Sequence, residues 1–198
     1  MKKIDFNYKE RLEKYIFENN WIEPPLFDNN KGKVLRFDLI SKSETQSATL
    51  IKNVFDDLFF VNSQLFVIFY GSIDPINRGG NCNWKNGKKY FKKFGLKKVL
   101  YKNYKSKDED NDEKNYLVVC VTTRNIFNLK KYLADYLEDK QVCQMAFLSL
   151  KKGATIQMYD SRGFDLLSID QDFLQLLYKK YEKNVVEFNN EKILKIIE

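Results

Sequence analysis

Gln144-Met145-Ala146-Phe147-Leu148-Ser149-Leu150, Thr155-Ile156-Gln157-Met158-Tyr159 and Phe164-Asp165-Leu166-Leu167-Ser168-Ile169 are three apolar runs separated by Lys151-Lys152-Gly153 and by Asp160-Ser161-Arg162-Gly163. Each run is shorter than a helix needs to bury a face, and each is bounded by turn residues, so the stretch predicts three strands. The connections are too short for crossovers, which makes the three strands an antiparallel meander. On the C-terminal side Asp170 is placed to cap a helix reaching about Tyr181, with Phe173, Leu174, Leu177 and Tyr178 as its apolar face. Asn190 is placed to cap a last turn or two.

On the N-terminal side the same reading continues to the start of the chain. Asn125–Leu137 reads as a helix on which Leu129, Tyr132, Leu133 and Tyr136 share a face, and Tyr116–Val121 as a strand. A short helix is expected over 87–94 and a strand over 96–104, after a Gly- and Asn-rich loop from Gly71 to Gly87. Leu65–Tyr70 is a continuous apolar run and predicts a buried strand. Ser43 and Gln46 have the spacing of a capping box, opening a helix with Leu50, Ile51, Val54, Phe55, Leu58 and Phe59 on one stripe. Val34–Leu39 is a strand, Trp21–Lys33 a loop broken by Pro24-Pro25, and 5–19 a short helix with Leu12, Tyr15, Ile16 and Phe17 on one side. The expected architecture is therefore α+β: a mixed sheet of about seven strands with an antiparallel C-terminal meander and helices packed against it. It is expected to form one domain over 1–198, with an N-terminal helix and loop (1–32) leading into a core (33–198).

Composition narrows the chemistry. The chain has 198 residues, 34 Lys plus Arg, 27 Asp plus Glu and no His. Without His there is no Ser-His-Asp triad, no Cys-His dyad, no Cys2His2 zinc site and no HExxH metalloprotease helix. No P-loop or GxGxxG is present. Glu138-Asp139-Lys140 has the ExK spacing of restriction-like nucleases, but it falls at a helix end rather than on a strand. Cys120 and Cys143 lie in apolar runs and read as buried thiols, whereas Cys82 lies in the polar loop from Arg78 to Asn83. No apolar run approaches the ~20 residues of a membrane span, and the start of the chain has no signal-peptide apolar region. A cytoplasmic protein is expected, with no cofactor and no metal site.

The net charge of +7 is unevenly placed. Ten Lys and no acid occupy Lys85–Lys107, so the remaining residues sum to −3. Trp84, Tyr90, Phe91, Phe94, Tyr101 and Tyr104 interleave the cations. Lys mixed with aromatics is the composition that neutralises phosphates and stacks bases, so Trp84, Lys88, Lys89, Lys92, Lys93, Lys97 and Lys98 form a candidate nucleic-acid surface. The competing reading is an amphipathic segment with solvated Lys, balanced by the acidic run Asp108–Glu113 that follows it.

Asp160-Ser161-Arg162-Gly163-Phe164-Asp165-Leu166, led by Ile156-Gln157-Met158-Tyr159, resembles the C-terminal hairpin signature of a small bacterial domain-of-unknown-function family, Tyr-Asp-Asp-Arg-Gly-x-Asp-(Val/Leu). Leu35-Arg36-Phe37-Asp38-Leu39 is similar to that family's early Arg-Phe-(Glu/Asp)-Leu strand. Phe91-Lys92-Lys93-Phe94 and the ending with Tyr178, Tyr181 and Val185–Phe188 also resemble it. Ser161 replaces the second Asp of the turn, which removes a carboxylate and argues against a metal there, and Asn189-Asn190 stands in place of Asp-Arg. The resemblance implies no activity. It implies an accessory protein, some relatives belonging with toxin–immunity loci.

Arg36, Asp38, Asp160, Arg162 and Asp165 are the candidate binding residues. Arg36 and Asp38 are two apart on a strand and so share one face, opposite Leu35, Phe37 and Leu39. Gly163 suits a left-handed turn position, Asp160 an Asx-turn, and Arg162 a fork onto Asp165 or Asp160. The leading functional expectation is a non-enzymatic protein-interaction module, immunity- or antitoxin-like, with a protein partner such as a toxin. The alternatives are nucleic-acid association through 84–107 and an enzyme holding a small anion on Arg36, Arg124 or Arg162. The sequence leaves the oligomeric state open.

Overall fold

The computed structural model describes residues 6–18, 34–72, 93–105, 114–138 and 145–186. Along the chain these form α1 (Phe6–Glu18), β1 (Val34–Asp38), α2 (Glu44–Leu58), β2 (Gln64–Ser72), β3 (Lys97–Lys105), β4 (Lys114–Thr123), α3 (Leu129–Leu137), β5 (Met145–Ser149), β6 (Ala154–Asp160), β7 (Gly163–Ser168) and α4 (Gln171–Tyr181), with a short 3-10 turn at Glu182–Asn184. The strands make one sheet in the order β1-β7-β6-β5-β2-β4-β3. The α+β class, the seven strands and the antiparallel meander β5-β6-β7 are as expected. Every pairing in the sheet is antiparallel, where the sequence predicts a mixed sheet. The helical crossovers do join strands that run the same way, β1 to β2 through α2 and β4 to β5 through α3. In each case other strands lie between the two, so the parallel relation is never one between neighbours.

Local chemistry accounts for the element boundaries. Ser43 Oγ accepts from the Gln46 backbone N–H at 3.3 Å and Gln46 Oε1 accepts from the Ser43 N–H at 2.9 Å, the reciprocal capping box of α2. Asp170 caps α4 by accepting from the Phe173 N–H at 3.0 Å. The helix expected from Asn125 begins only at Leu129. Residues 124–127 turn back on Thr123, whose carbonyl accepts from Ile126 and Phe127, and Asn128 rather than Asn125 is the cap. β2 extends through Gly71 and Ser72, because β4 is longer than expected and keeps its partner paired to Asn115. The expected loop beyond Ser72, most of the 87–94 helix, and the last turn at Asn190 lie outside the described residues.

The left-handed glycine in the meander is Gly153, at φ 56°, and not Gly163, which opens β7 as an ordinary strand residue. The β6–β7 register shifts between Met158 and Asp160, an irregularity of the kind that increases local strand twist.

Alternation along the strands splits the core into two layers. On one face Leu35, Phe37, Val67, Phe69, Val118, Cys120, Phe147, Ile156, Phe164 and Leu166 meet the apolar stripes of α2, α3 and α4. Phe55 lies with its ring centroid 4.5 Å from Phe59 and 5.2 Å from Phe147, and Phe127 lies 5.3 Å from both Phe94 and Phe147. Five buried apolar side chains on α2 contribute roughly 10 kcal/mol of gross transfer energy, against about 1 kcal/mol for its cap, so packing rather than capping holds the helix. On the other face Leu12 and Ile16 of α1 pack on Val34, Phe66, Ile68, Leu117, Val119, Ala146, Leu148 and Leu167. Cys120 is buried as expected, and burial pushes its thiol pKa up to about 12. Cys82 and Cys143 lie outside the described residues. No helix among them is long and apolar enough to cross a membrane.

Candidate functional site

The face of β1 turned away from α2, α3 and α4 carries Arg36 and Asp38, because Leu35 and Phe37 are drawn into the helix-side core. Arg36 stands directly opposite Asp165 in the β1–β7 register. Its Nε and Nη2 donate to Asp165 Oδ1 and Oδ2 at 2.9 and 3.0 Å, a bidentate fork. Asp165 is fully buried, while the Arg36 side chain keeps 30% of its exposure. Gln157, the β6 neighbour of Asp165 in the register, is buried as well. The fork on Asp165 is thus formed by Arg36, 129 positions away along the chain.

Arg36 is also the floor of a cleft of about 740 Å³ at the outer edge of β1. Asp38, Ile40, Lys42, Arg162, Glu182 and Lys183 line it, with Val185 and Val186 closing one side. Backbone bonds assemble its walls: the Leu39 N–H donates to the Arg162 carbonyl and the Val186 N–H to the Arg36 carbonyl, both at 2.9 Å. Asp38 Oδ1 accepts from the Ile40 N–H at 3.0 Å, which turns the chain and leaves Ile40 74% exposed at the rim. With Arg36 matched by Asp165, Lys42, Arg162 and Lys183 line the cleft against Asp38 and Glu182, so among the described residues its field leans towards an anionic group.

The structure therefore brings Arg36, Asp38, Arg162 and Asp165 to one place. The Asp160 side chain is outside what the structure describes, although its backbone pairs with Gly163. Arg124 is elsewhere: its Nη2 donates to Asp56 at 2.6 Å and its guanidinium lies over Phe55, 5.2 Å from the centroid. Burial works to raise the Asp56 pKa, but hydrogen bonds from Lys52 and Arg124 outweigh it and hold the carboxyl below its ordinary value. No three His, Cys, Asp or Glu side chains among the described residues group as metal ligands.

Of the candidate nucleic-acid residues, Trp84, Lys88, Lys89 and Lys92 lie outside the described residues. Lys93 is ion-paired with Asp135 on α3 and lies over the Phe94 ring. Lys97 and Lys98 are exposed at the start of β3, the edge strand. Lys105 and Lys114 pair at the other end of this hairpin, roughly 26 Å of strand away from Lys97, and the acidic run between them lies outside the described residues. A second cleft, at the opposite end of the sheet from Arg162, is lined by Arg11, Phe60, Val61 and Lys151 and contains none of the candidate residues. Its sequence signal was the continuation of apolar residues through Phe60 and Val61, beyond the end of the α2 stripe.

No curated protein and no solved structure matches this chain. A family model does match, over residues 10–189, and it takes in both clefts and all seven strands. The chain belongs to the family described as Domain of unknown function (DUF3885).

Proposed function

We propose that this chain is a non-enzymatic protein-interaction module of the cytoplasm, working as an immunity- or antitoxin-like partner. The observation that carries the reading is what happens to the signature charges. Asp165 is fully buried and engaged at both oxygens by Arg36, so it locks β1 to β7 instead of facing a substrate. What remains at the surface is a cation-rich cleft with an exposed Ile40 on its rim, a composition suited to an acidic and apolar protein surface. The test is co-expression with candidate toxins encoded beside the gene, followed by isolation of the complex. A stoichiometric complex that protects the cell is expected, and Arg162→Glu should weaken it. Recovering no stoichiometric protein partner, with no protection from any neighbouring toxin, refutes the proposal.

Nucleic-acid association is the second reading, favoured by Lys97 and Lys98 standing exposed on an edge strand. It requires binding of single-stranded oligonucleotides that falls steeply with salt and is lost on reversing Lys88, Lys89, Lys97 and Lys98 to Glu. Binding that ignores salt or these reversals refutes it.

A further inference from the structure

Phe60, Val61 and Ile169 are three of six large apolar side chains that stand exposed among the described residues, and they gather at one end of the sheet. The geometry there is well defined. The Ser63 N–H donates to the Phe60 carbonyl at 2.9 Å and the Arg124 N–H to the Ser63 carbonyl at 3.0 Å. Asn62 holds φ 66°, the left-handed position that Asn tolerates at the third residue of such a turn. The turn therefore pushes Phe60 and Val61 outward, to 51% and 78% exposure, on a braced backbone that loses little freedom on binding.

Beside it lies the second cleft, about 550 Å³, with Leu58, Phe66 and Leu150 contributing apolar wall and Arg11 and Lys151 contributing charge. Among the described residues no carboxylate lines it. The Lys151 and Lys152 ammonium groups sit 5.5 and 5.4 Å from the Phe60 centroid, and Lys152 is 4.7 Å from that of Phe173. Gly153 brings the β5–β6 turn against Ile169, and a Cβ there would stand 2.7 Å from Ile169 Cγ1. The surface is thus an apolar strip framed by three cations. Within the described residues no carboxylate forms an ion pair with Arg11, Lys151 or Lys152.

We infer that this cleft docks an acidic segment of a partner protein, with an apolar side chain seated between Phe60 and Leu150 and carboxylates on Arg11, Lys151 and Lys152. The inference rests on the protein-interaction reading and adds to it a second place and a partner chemistry. Charge complementarity selects the acidic segment. Aliphatic Val61 and Leu150, and a Phe60 ring already approached by two ammonium groups, favour a peptide over stacked bases.

The test is to pan a phage library of random peptides against the full-length chain and to measure the best peptide by fluorescence anisotropy. Acidic sequences with an apolar anchor are expected to be enriched. Their affinity should fall at least tenfold in Lys151→Glu/Lys152→Glu and in Phe60→Ser, and should stay unchanged in Lys130→Glu, an exposed cation of α3 that lines neither cleft. The lysine pair is exposed or half-exposed, so that variant remains folded even where Phe60→Ser does not. Enriched peptides that bind both cleft variants as tightly as the parent overturn this docking site and leave the interaction reading standing. Basic peptides, or displacement by an equal concentration of oligothymidylate, overturn the acidic partner. The absence of any enriched peptide counts against both.

Discussion

Removing the guanidinium at position 36 tests the reading of the signature hairpin directly. In Arg36→Met the aliphatic stem is largely kept, but the Asp165 carboxylate loses both charge-assisted hydrogen bonds while its side chain remains fully buried. Breaking a buried pair by removing one partner costs about 3–5 kcal/mol. Arg36 retains 30% exposure, so water reaches part of the vacated space, and the low end of that range, about 3 kcal/mol, is expected. At roughly 2–4 °C per kcal/mol for a chain of this size, the midpoint should fall by about 6–12 °C. Calorimetry and urea unfolding at neutral pH measure both quantities. The decisive comparison is Arg36→Met/Asp165→Leu, which replaces the pair with apolar groups and should recover to within about 1 kcal/mol of the parent, as buried pairs do on apolar replacement. A single variant that loses less than about 1 kcal/mol, or a double variant worse than either single one, would refute the assignment of this pair as the lock between β1 and β7.

Ser43→Ala removes one half of the α2 capping box and should destabilise the protein by about 1 kcal/mol in urea unfolding, with Ser43→Asp close to neutral. Asp56 has a folded pKa below its unfolded value, so the stability it contributes is present above about pH 4 and is lost as the pH falls through the folded pKa. Asp56→Asn should accordingly flatten that acid limb of stability against pH while lowering stability at neutral pH, and an unchanged acid limb would contradict it. Cys120, with a pKa near 12, should resist iodoacetamide at pH 8 in the folded protein and react once urea unfolds it, as peptide mass mapping will show. Gly153→Ala places a Cβ at φ 56° and against Ile169, and should cost about 1–2 kcal/mol.

Much of this fold was legible in the order of residues because its signals are local. The 3-4 stripe from Leu50 to Leu58, the Ser43/Gln46 box, the Asp170 cap and the two tight turns of the meander each depend on residues within a few positions of one another. Where the boundaries shifted, a neighbour in space was responsible. The α3 start moved to Leu129 because residues 124–127 fold back on Thr123, and β2 lengthened because β4 continued to pair with it. The candidate residues were legible as types but not as partners. Arg36 and Asp165 are 129 positions apart, and alternation along either strand alone says which face a charge takes, not what stands opposite.

The amino-acid sequence by itself determined the class of fold, the apolar faces of α2, α3 and α4, and the antiparallel meander, and it holds no His among its 198 residues. Each of these follows from short-range periodicity or from composition. Tertiary structure alone decided that strands intervene within both helical crossovers, so that the whole sheet runs antiparallel. It also decided that Arg36 forks onto Asp165, and that Phe60, Val61, Arg11 and Lys151 meet in one cleft. Those outcomes depend on which distant segments become neighbours. That choice is made by burying two faces of one sheet at once, a global packing condition that no local window of residues contains.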